Sequence, residues 1–389
     1  MAFPPAFLDE LNARNPIEDV VGQYVALTRR GSNLFGLCPF HGEKTPSFSV
    51  APEKGIFYCF GCHKGGGVVN FIMEIENLTY GDAVRFLAKR AGLEVPDDGA
   101  YQSQYKKKER LWALCRAAAQ FYHAQLKTPA GEEARAYLQK RGVSGQTVTR
   151  FGLGYSPNRW TALLDVMTAK GYTKEELLEA GLLSQNRDKG TLYDRFRNRL
   201  MFPIRNIRGH VIAFSARTMI GEEPKYINTG DTPIFTKGSE VFGLYEARKS
   251  IQDKKRVIVV EGQMDVIQLS QAGFGEACAP LGTAIRAEHI ERLLKMTDHV
   301  IFSFDGDAAG RKAAKRAMDL SLPLLDDAQK VSFVFLPEGE DPDSLVKKSG
   351  ALAFEEMLKK ALPLSSYLIE ALSQGLDLAV LEEIGRAHV

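Results

Sequence analysis

Three stretches decide the reading of this chain: Val257-Ile258-Val259-Val260-Glu261-Gly262-Gln263-Met264-Asp265, Val300-Ile301-Phe302-Ser303-Phe304-Asp305-Gly306-Asp307, and Val331-Ser332-Phe333-Val334-Phe335, the last followed by Asp341-Pro342-Asp343. Each is a short apolar run with carboxylates behind it. The spacing predicts helices over 263–272, 287–295 and 308–321, and a further strand over 277–279. Strands alternating with helices predict a mainly parallel sheet covered on both faces. Strands that end in acids bring several carboxylates to one sheet edge, and such a cluster repels itself unless cations fill it. Carboxylates, water and substrate phosphates are the usual ligands of Mg²⁺, so the edge reads as a Mg²⁺ site for phosphoryl chemistry. Singly, each acid is better explained as a helix cap or a solvated loop end. The six together, Glu261, Asp265, Asp305, Asp307, Asp341 and Asp343, favour the metal site.

The 389 residues suggest two or three domains at about 150 residues each. A hydrophobic fraction of 44% and a charged fraction of 25% are ordinary for a soluble globular chain. The net charge of +2 leaves partners to local electrostatics. No apolar run approaches the roughly 18 residues needed to cross a bilayer, and residues 1–30 carry no secretory signal. The expectation is a cytoplasmic protein without a membrane partner.

Three of the five cysteines cluster with a histidine, which favours metal over disulfides. Cys38-Pro39-Phe40-His41 and Cys59-Phe60-Gly61-Cys62 are two pairs, 17 residues apart. Two residues between ligands span a tight turn that brings both donors onto one ion. Three thiolates and one imidazole suit one structural, tetrahedral Zn²⁺, and the ion would supply much of the fold energy. His63 reads as a bystander whose side chain points away. Around the site lie Phe35, Phe40, Lys44, Phe48, Lys54, Phe57, Tyr58, Phe60 and Lys64. Half of the aromatics are expected in the core; the rest suit base stacking beside lysines that meet phosphates.

Residues 195–237 hold eight basic and three acidic side chains. Arg195, Arg197 and Arg199 alternate with other residues, which on an extended chain places three guanidiniums on one face. Arg217, Lys225 and Lys237 follow, and Pro224-Lys225-Tyr226-Ile227-Asn228 mixes charge, ring and amide in a way that suits nucleotide contact. Such a cationic face beside a phosphoryl site is what a polyanion requires; a merely solvated face is the plainer alternative.

The pattern divides the chain into a small N-terminal domain (1–95), a polar linker (96–110), a helical and strand-containing region (111–250), the strand–acid region (251–345) and a helical segment (346–389). A turn at Asn206-Ile207-Arg208-Gly209 predicts a hairpin, and Gly65-Gly66-Gly67 is expected to open a helix over 68–75.

Taken together, these residues resemble one family. Cys38-x-x-His41 with Cys59-x-x-Cys62, Leu200-Met201-Phe202-Pro203-Ile204, Pro224-Lys225-Tyr226, Val260-Glu261-Gly262-x-Met264-Asp265, Asp305-Gly306-Asp307-x-Ala309-Gly310-Arg311 and Glu340-Asp341-Pro342-Asp343 resemble, in order, the motifs of bacterial DnaG-type DNA primases. The resemblance runs from about residue 4 to 370. It implies an α+β multidomain fold: an N-terminal zinc ribbon, a mixed α/β N-terminal subdomain, a TOPRIM parallel sheet and C-terminal helices. It implies synthesis of short RNA primers on single-stranded DNA from ribonucleoside triphosphates, with two or more Mg²⁺ or Mn²⁺ ions. By this resemblance Glu261 is a metal ligand or acid/base. Asp305, Asp307 and Asp343 bind metal, and Asp265 and Asp341 are further acids of the site. Arg195, Arg199, Arg217, Lys225, Tyr226, Asn228 and Lys237 would contact template or nucleotide. Family members continue into a domain that binds the replicative helicase; with the chain ending at Val389, helicase binding is not expected of it, and a monomer is. Two other readings stand beside this one. One is a TOPRIM-type DNA-cleaving enzyme, a topoisomerase or nuclease, for which Tyr226 and Tyr245 lack a recognisable context. The other is a non-catalytic zinc-ribbon DNA-binding protein.

Overall fold

Residues 3–373 are described by a computed structural model, apart from Asn77, Asp97, Asp98, Arg187, Glu222 and Thr283. They fall into two units divided between Tyr105 and Lys106. In the first, helices α1 (Pro5–Ala13) and α2 (Ile17–Val21) precede an antiparallel sheet whose strands pair in sequence order: β1 (Thr28–Arg30), β2 (Asn33–Gly36), β3 (Phe48–Ala51), β4 (Ile56–Cys59) and β5 (Gly65–Gly67). Helices α3 (Val68–Ile75) and α4 (Tyr80–Ala91) follow. Along β4 the side chains alternate as a pleated strand requires: Phe57 and Cys59 are buried, Ile56 and Tyr58 exposed. Helix α4 begins where Thr79 Oγ1 accepts the Asp82 N–H at 3.3 Å and stops at Gly92, at φ +65°. The triple glycine forms β5 before Gly67 leads into α3. A Cβ at Gly65 would lie 2.7 Å from the Tyr58 ring, and Gly66 has φ +150°, so glycine is what lets this strand sit against β4.

Helix α5 (Gly99–Leu126) runs across most of the segment read as a linker. Its lysines, glutamate and arginine are good helix formers. Lys107 pairs with Glu179 at 2.6 Å and Arg110 with Glu176 at 2.8 Å. A polar composition fits an exposed helix as well as a linker, which is why pattern alone misread it. Then come α6 (Glu132–Lys140), α7 (Gly145–Phe151), β6 (Gly154–Ser156), α8 (Ala162–Ala169), α9 (Lys174–Glu179), β7 (Leu183–Gln185), β8 (Leu192–Asp194), β9 (Arg199–Arg205), β10 (Val211–Thr218) and β11 (Tyr226–Asn228). Strands β11, β10, β9 and β6 make an antiparallel sheet in that order. The β9–β10 hairpin turns on Asn206, whose Oδ1 accepts the Arg208 and His210 amides.

The remaining elements are β12 (Val241–Phe242), α10 (Leu244–Lys254), β13 (Val257–Val259), α11 (Gln263–Gln271), β14 (Ala277–Pro280), α12 (Ala287–Leu294), β15 (His299–Phe304), α13 (Ala308–Ser321), β16 (Lys330–Phe335), α14 (Pro342–Lys359, broken at Gly350), β17 (Leu362–Pro363) and α15 (Leu364–Ser373). The sheet order is β12-β14-β13-β15-β16-β17, with β14, β13, β15 and β16 parallel. Ile258, Ile301 and Val334 pack with Met264, Ile267 and Leu345 on one face. Val259, Phe302 and Phe333 pack with Ile290, Ala314 and Met318 on the other. Burial on both faces explains the unbroken apolar runs. The helical segment expected over 346–389 is divided by Gly350 and β17, and its part beyond 373 lies outside the described residues.

The base of β14 carries a buried ion network. Glu276, its side chain wholly buried, takes Lys254 Nζ at 2.9 Å and Arg256 at 3.0 Å, and Arg256 also grips Glu355 at 2.6 Å. Glu276→Ala leaves the largely covered Arg256 guanidinium with Glu355 as its one carboxylate partner. It is expected to destabilise the unit by about 3–5 kcal/mol, read as a shifted urea midpoint.

Candidate metal centres

Cys38, His41, Cys59 and Cys62 converge from the β2–β3 connection and the end of β4. Their ligand atoms all lie within 4.8 Å of one another. Cys38 Sγ and Cys62 Sγ are 3.8 Å apart, and Cys59 Sγ and His41 Nδ1 3.7 Å. A tetrahedral ion bonded to sulfur at about 2.3 Å spaces its ligands about 3.8 Å apart, so the four donors fit zinc. The N–H groups of Gly61 and Cys62 point at Cys59 Sγ, at 3.3 and 3.4 Å, as suits a thiolate.

Sequence reasoning missed Glu43, two residues after His41. Its carboxylate faces His41 Nε2 at 3.4 Å and accepts the Cys38 N–H at 2.7 Å, the Ser47 N–H at 3.1 Å and the Ser47 hydroxyl. Burial works to raise this carboxyl, but the Ser47 and Cys38 hydrogen bonds outweigh it and hold it low. Such a carboxylate fixes the ring of a ligand histidine. Gly61 makes room, since a Cβ there would lie 2.5 Å from His41 Nε2. His63 stands outside the cluster, its Nδ1 3.0 Å from the Tyr58 hydroxyl. Of the surrounding rings, Phe48 and Phe57 are core, whereas Tyr58 and Phe60 are exposed and meet edge to face at 5.1 Å.

In the second unit the carboxylates gather at the C-terminal ends of β13, β15 and β16. The chain passes from β13 out to β14 and back to β15, so the strand order reverses between β13 and β15, where ligands of open α/β sheets bind. Glu261 follows β13 and Asp305 follows β15. Asp307 caps α13 by accepting the Gly310 N–H at 2.7 Å, and Asp341 caps α14 by accepting the Ser344 N–H at 2.6 Å. A Cβ at Gly306 would lie 2.1 Å from the Leu336 carbonyl oxygen, and one at Gly310 2.1 Å from that of Asp305. Both glycines are therefore demanded by close packing of this turn.

The acids press on one another. Burial, then the charges of Asp341, Asp305 and Asp343, push Asp265 up to about 7, with Arg141 opposing. Burial and then the Asp305 charge raise Glu261, and burial and then Asp341 and Asp307 raise Asp305. The six do not close on one point as the zinc ligands do; among the described residues only the Cys/His set is that tight. An open array suits a cation that keeps waters and takes phosphate oxygens. Because the folded protein holds Asp265 above its ordinary value of 3.8, its contribution to stability is full below that value. It is lost as pH rises through about 7. The Mg²⁺-free protein is expected to lose thermal stability as pH rises from 3.8 to about 7, and Asp265→Asn to flatten that slope in calorimetry.

Asp343 is held by two cations. Arg141 Nη2 lies 2.7 Å from it, and Lys347 Nζ 2.7 Å from its other oxygen. Arg141, at the end of α6, was not singled out from sequence; only the fold brings it across to α14. The basic segment also differs from an extended strand. Asn198, at φ +49°, turns the chain, and β9 begins only at Arg199. The three guanidiniums part: Arg195 donates to the Asn228 carbonyl at 2.9 Å and Arg199 to that of Pro224 at 3.2 Å, bracing both ends of 224–228. Arg197 lies over the exposed Trp160 ring at 4.2 Å. Arg217 stacks on Tyr137 at 4.2 Å. The Tyr226 hydroxyl, pushed up to about 12 by burial and then by Tyr137, also feels Arg217, Asp265 and Arg141, so β11 lies beside the acids. Asn228 Nδ2 donates to Leu281 O at 3.4 Å, and Lys237 is half-buried nearby in sequence.

Three family models match the chain. Residues 3–103 match the CHC2 zinc finger, 121–248 the DNA primase catalytic core N-terminal domain, and 255–335 the Toprim domain. The DNA primase of Pseudomonas aeruginosa is 46% identical over 99% of this chain and 59% of its own length; this chain thus spans little more than half of that relative. The structure of a DnaG primase catalytic domain bound to ssDNA superposes with a TM-score of 0.68 at 42% identity, covering 73% of this chain and 91% of that one. The Aquifex aeolicus primase structure, comprising zinc-binding and RNA polymerase domains, covers 100% of this chain and 91% of its own, with a TM-score of 0.64 at 36% identity. No helix among the described residues is long and apolar enough to cross a membrane. The chain belongs to the DnaG-type bacterial DNA primase family.

Proposed function

We propose that this chain synthesises short RNA primers on single-stranded DNA from ribonucleoside triphosphates, as a cytoplasmic monomer, and that the cation at its carboxylate edge is Mg²⁺ or Mn²⁺. The observation that carries the reading is the gathering of Glu261, Asp305, Asp307 and Asp343 at the ends of β13, β15 and β16, at the switch point of the sheet, where burial and then neighbouring carboxylates raise Glu261 and Asp305, a charge imbalance that cations would relieve. Glu261, Asp305 and Asp307 are the ligands we assign. Asp343 is the fourth, and it would release Lys347 or Arg141 to reach an ion. Asp265 and Asp341 add charge behind them. Bound cations would polarise the α-phosphate and lower the pKa of the primer 3′-hydroxyl. The chain's own residues position the reactants. Arg217, held by Tyr137, and Lys225 and Lys237 meet the triphosphate, while Tyr226 and Asn228 line the nucleotide. Arg195 and Arg199 act by holding segment 224–228 in place. The other role the resemblance implies for Glu261, acid/base, would need its carboxylate free of the ion.

The domain division we favour keeps the zinc ribbon at 1–95, a connection at 96–110, the polymerase core at 111–250, the Toprim region at 251–345 and a last segment from 346, whose part beyond 373 lies outside the described residues. We assign one structural Zn²⁺ to the ribbon. Its exposed Tyr58 and Phe60 would stack template bases. Incubation with single-stranded DNA, Mg²⁺ and labelled ribonucleotides tests the whole reading. Template-dependent oligoribonucleotides are expected; nicked DNA would favour a cleaving enzyme, and retarded DNA without products a binding protein.

A further inference from the structure

A cavity of about 330 Å³ lies beside Glu261, between the ends of β13, β14 and β15, Ala284 and Ile285 ahead of α12, and helix α13. Its walls are apolar, with Val259, Ile285, Phe302 and Phe304, and its charged groups are Glu261 and Arg316. Asp305 follows β15 directly, and Asp307 caps α13, the helix that forms one wall of the cavity. The volume is at the lower end of the roughly 300–1,000 Å³ typical of small-molecule sites. The Phe302 and Phe304 rings are nearly parallel, 5.9 Å apart at 12°, and give the wall flat surfaces. Arg316 makes a single hydrogen bond, from Nε to the Ile285 carbonyl at 3.4 Å, and pairs with no carboxylate among the described residues. Glu261, by contrast, already accepts the Asp305 N–H and belongs to the acid cluster. Arg316 is therefore the cavity's one cation without a carboxylate partner among the described residues.

We propose that this cavity binds a small aromatic acid, with its ring against the apolar walls and its anionic group on Arg316, and that the occupant restrains Glu261. Binding stands on the cavity alone; the effect on catalysis rests on the primer-synthesis reading. The chemistry is that of a flat apolar body bearing one carboxylate or phosphate. An occupant of this kind abuts Glu261, a candidate metal ligand, so it would lower activity.

Calorimetric titration of the zinc- and Mg²⁺-loaded protein with 2-naphthoate tests this. One site is expected, weakened about tenfold in Arg316→Ala by loss of a charged hydrogen-bond partner and lost in Ala313→Trp, whose ring fills the cavity. The amine counterpart, 2-naphthylmethylamine, should bind more weakly than the acid. No binding to the parent protein, equal binding to Arg316→Ala, or tighter binding of the amine would overturn the proposal. Arg316 is exposed on α13, so its replacement keeps the fold even if Ala313→Trp does not. In the primer assay naphthoate should inhibit the parent protein and spare Arg316→Ala. A parent protein that binds naphthoate but makes no primer counts against the primase reading and leaves the site standing.

Discussion

Asp305→Asn is expected to abolish primer synthesis while leaving affinity for single-stranded DNA within about twofold, because the side chain's size is kept and only its charge is removed. Loss of partners behind a metal ligand typically costs 10–100-fold, so removing an assigned ligand should cost at least about 100-fold in rate. The same change should leave the metal-free fold as stable or more so. The Asp305 charge is among the forces that raise Glu261 and Asp265, and its removal relieves both. Primer yield, fluorescence anisotropy with labelled DNA and a melting curve in EDTA measure the three effects. A variant that still primes would show that Asp305 is only a strand-end acid.

The second large effect concerns the ribbon. Cys59 is wholly buried, its sulfur 3.3 Å from the Ser47 hydroxyl and 3.7 Å from His41 Nδ1. Cys59→Ser is expected to lower zinc content from about one ion per chain and to unfold the first unit, since structural zinc contributes about 10–16 kcal/mol to such folds. Atomic absorption reads the first effect. The second appears as proteolysis within residues 3–96, while the rest of the chain keeps its cooperative melt. Unchanged zinc content would refute the site. Glu43→Gln separates ligand from support: zinc should stay bound but exchange faster into a chelator, because the ring of His41 loses its anchor.

Much of this was legible in sequence because the signals are local. The zinc pairs are set by turn length. The strand–acid runs are set by burial on both faces of a parallel sheet, and helix α13 by the Asp307 cap. What stayed illegible depends on long-range packing. Arg141 reaches Asp343 across 202 residues, and no periodicity announces such a pairing. Arg195 and Arg199 looked like free cations, yet they hold main-chain carbonyls, because a positive φ at Asn198 turns the chain between them. The helix α5 was hidden by a polar composition that exposed helices and linkers share. Glu43 left a fainter trace: a carboxylate two residues from a ligand histidine looks in sequence like any solvated loop acid.

The central claim is that the carboxylates after β13, β15 and β16 hold a divalent cation. Loading the zinc-replete protein with Fe²⁺ in place of Mg²⁺ and generating hydroxyl radicals cuts the backbone beside the bound ion. Fragments ending near residues 261, 305–307 and 341–343 are expected, suppressed by excess Mg²⁺ and absent in Asp305→Asn. Cuts confined to other positions, or cuts at these positions that Mg²⁺ does not suppress, would contradict the claim.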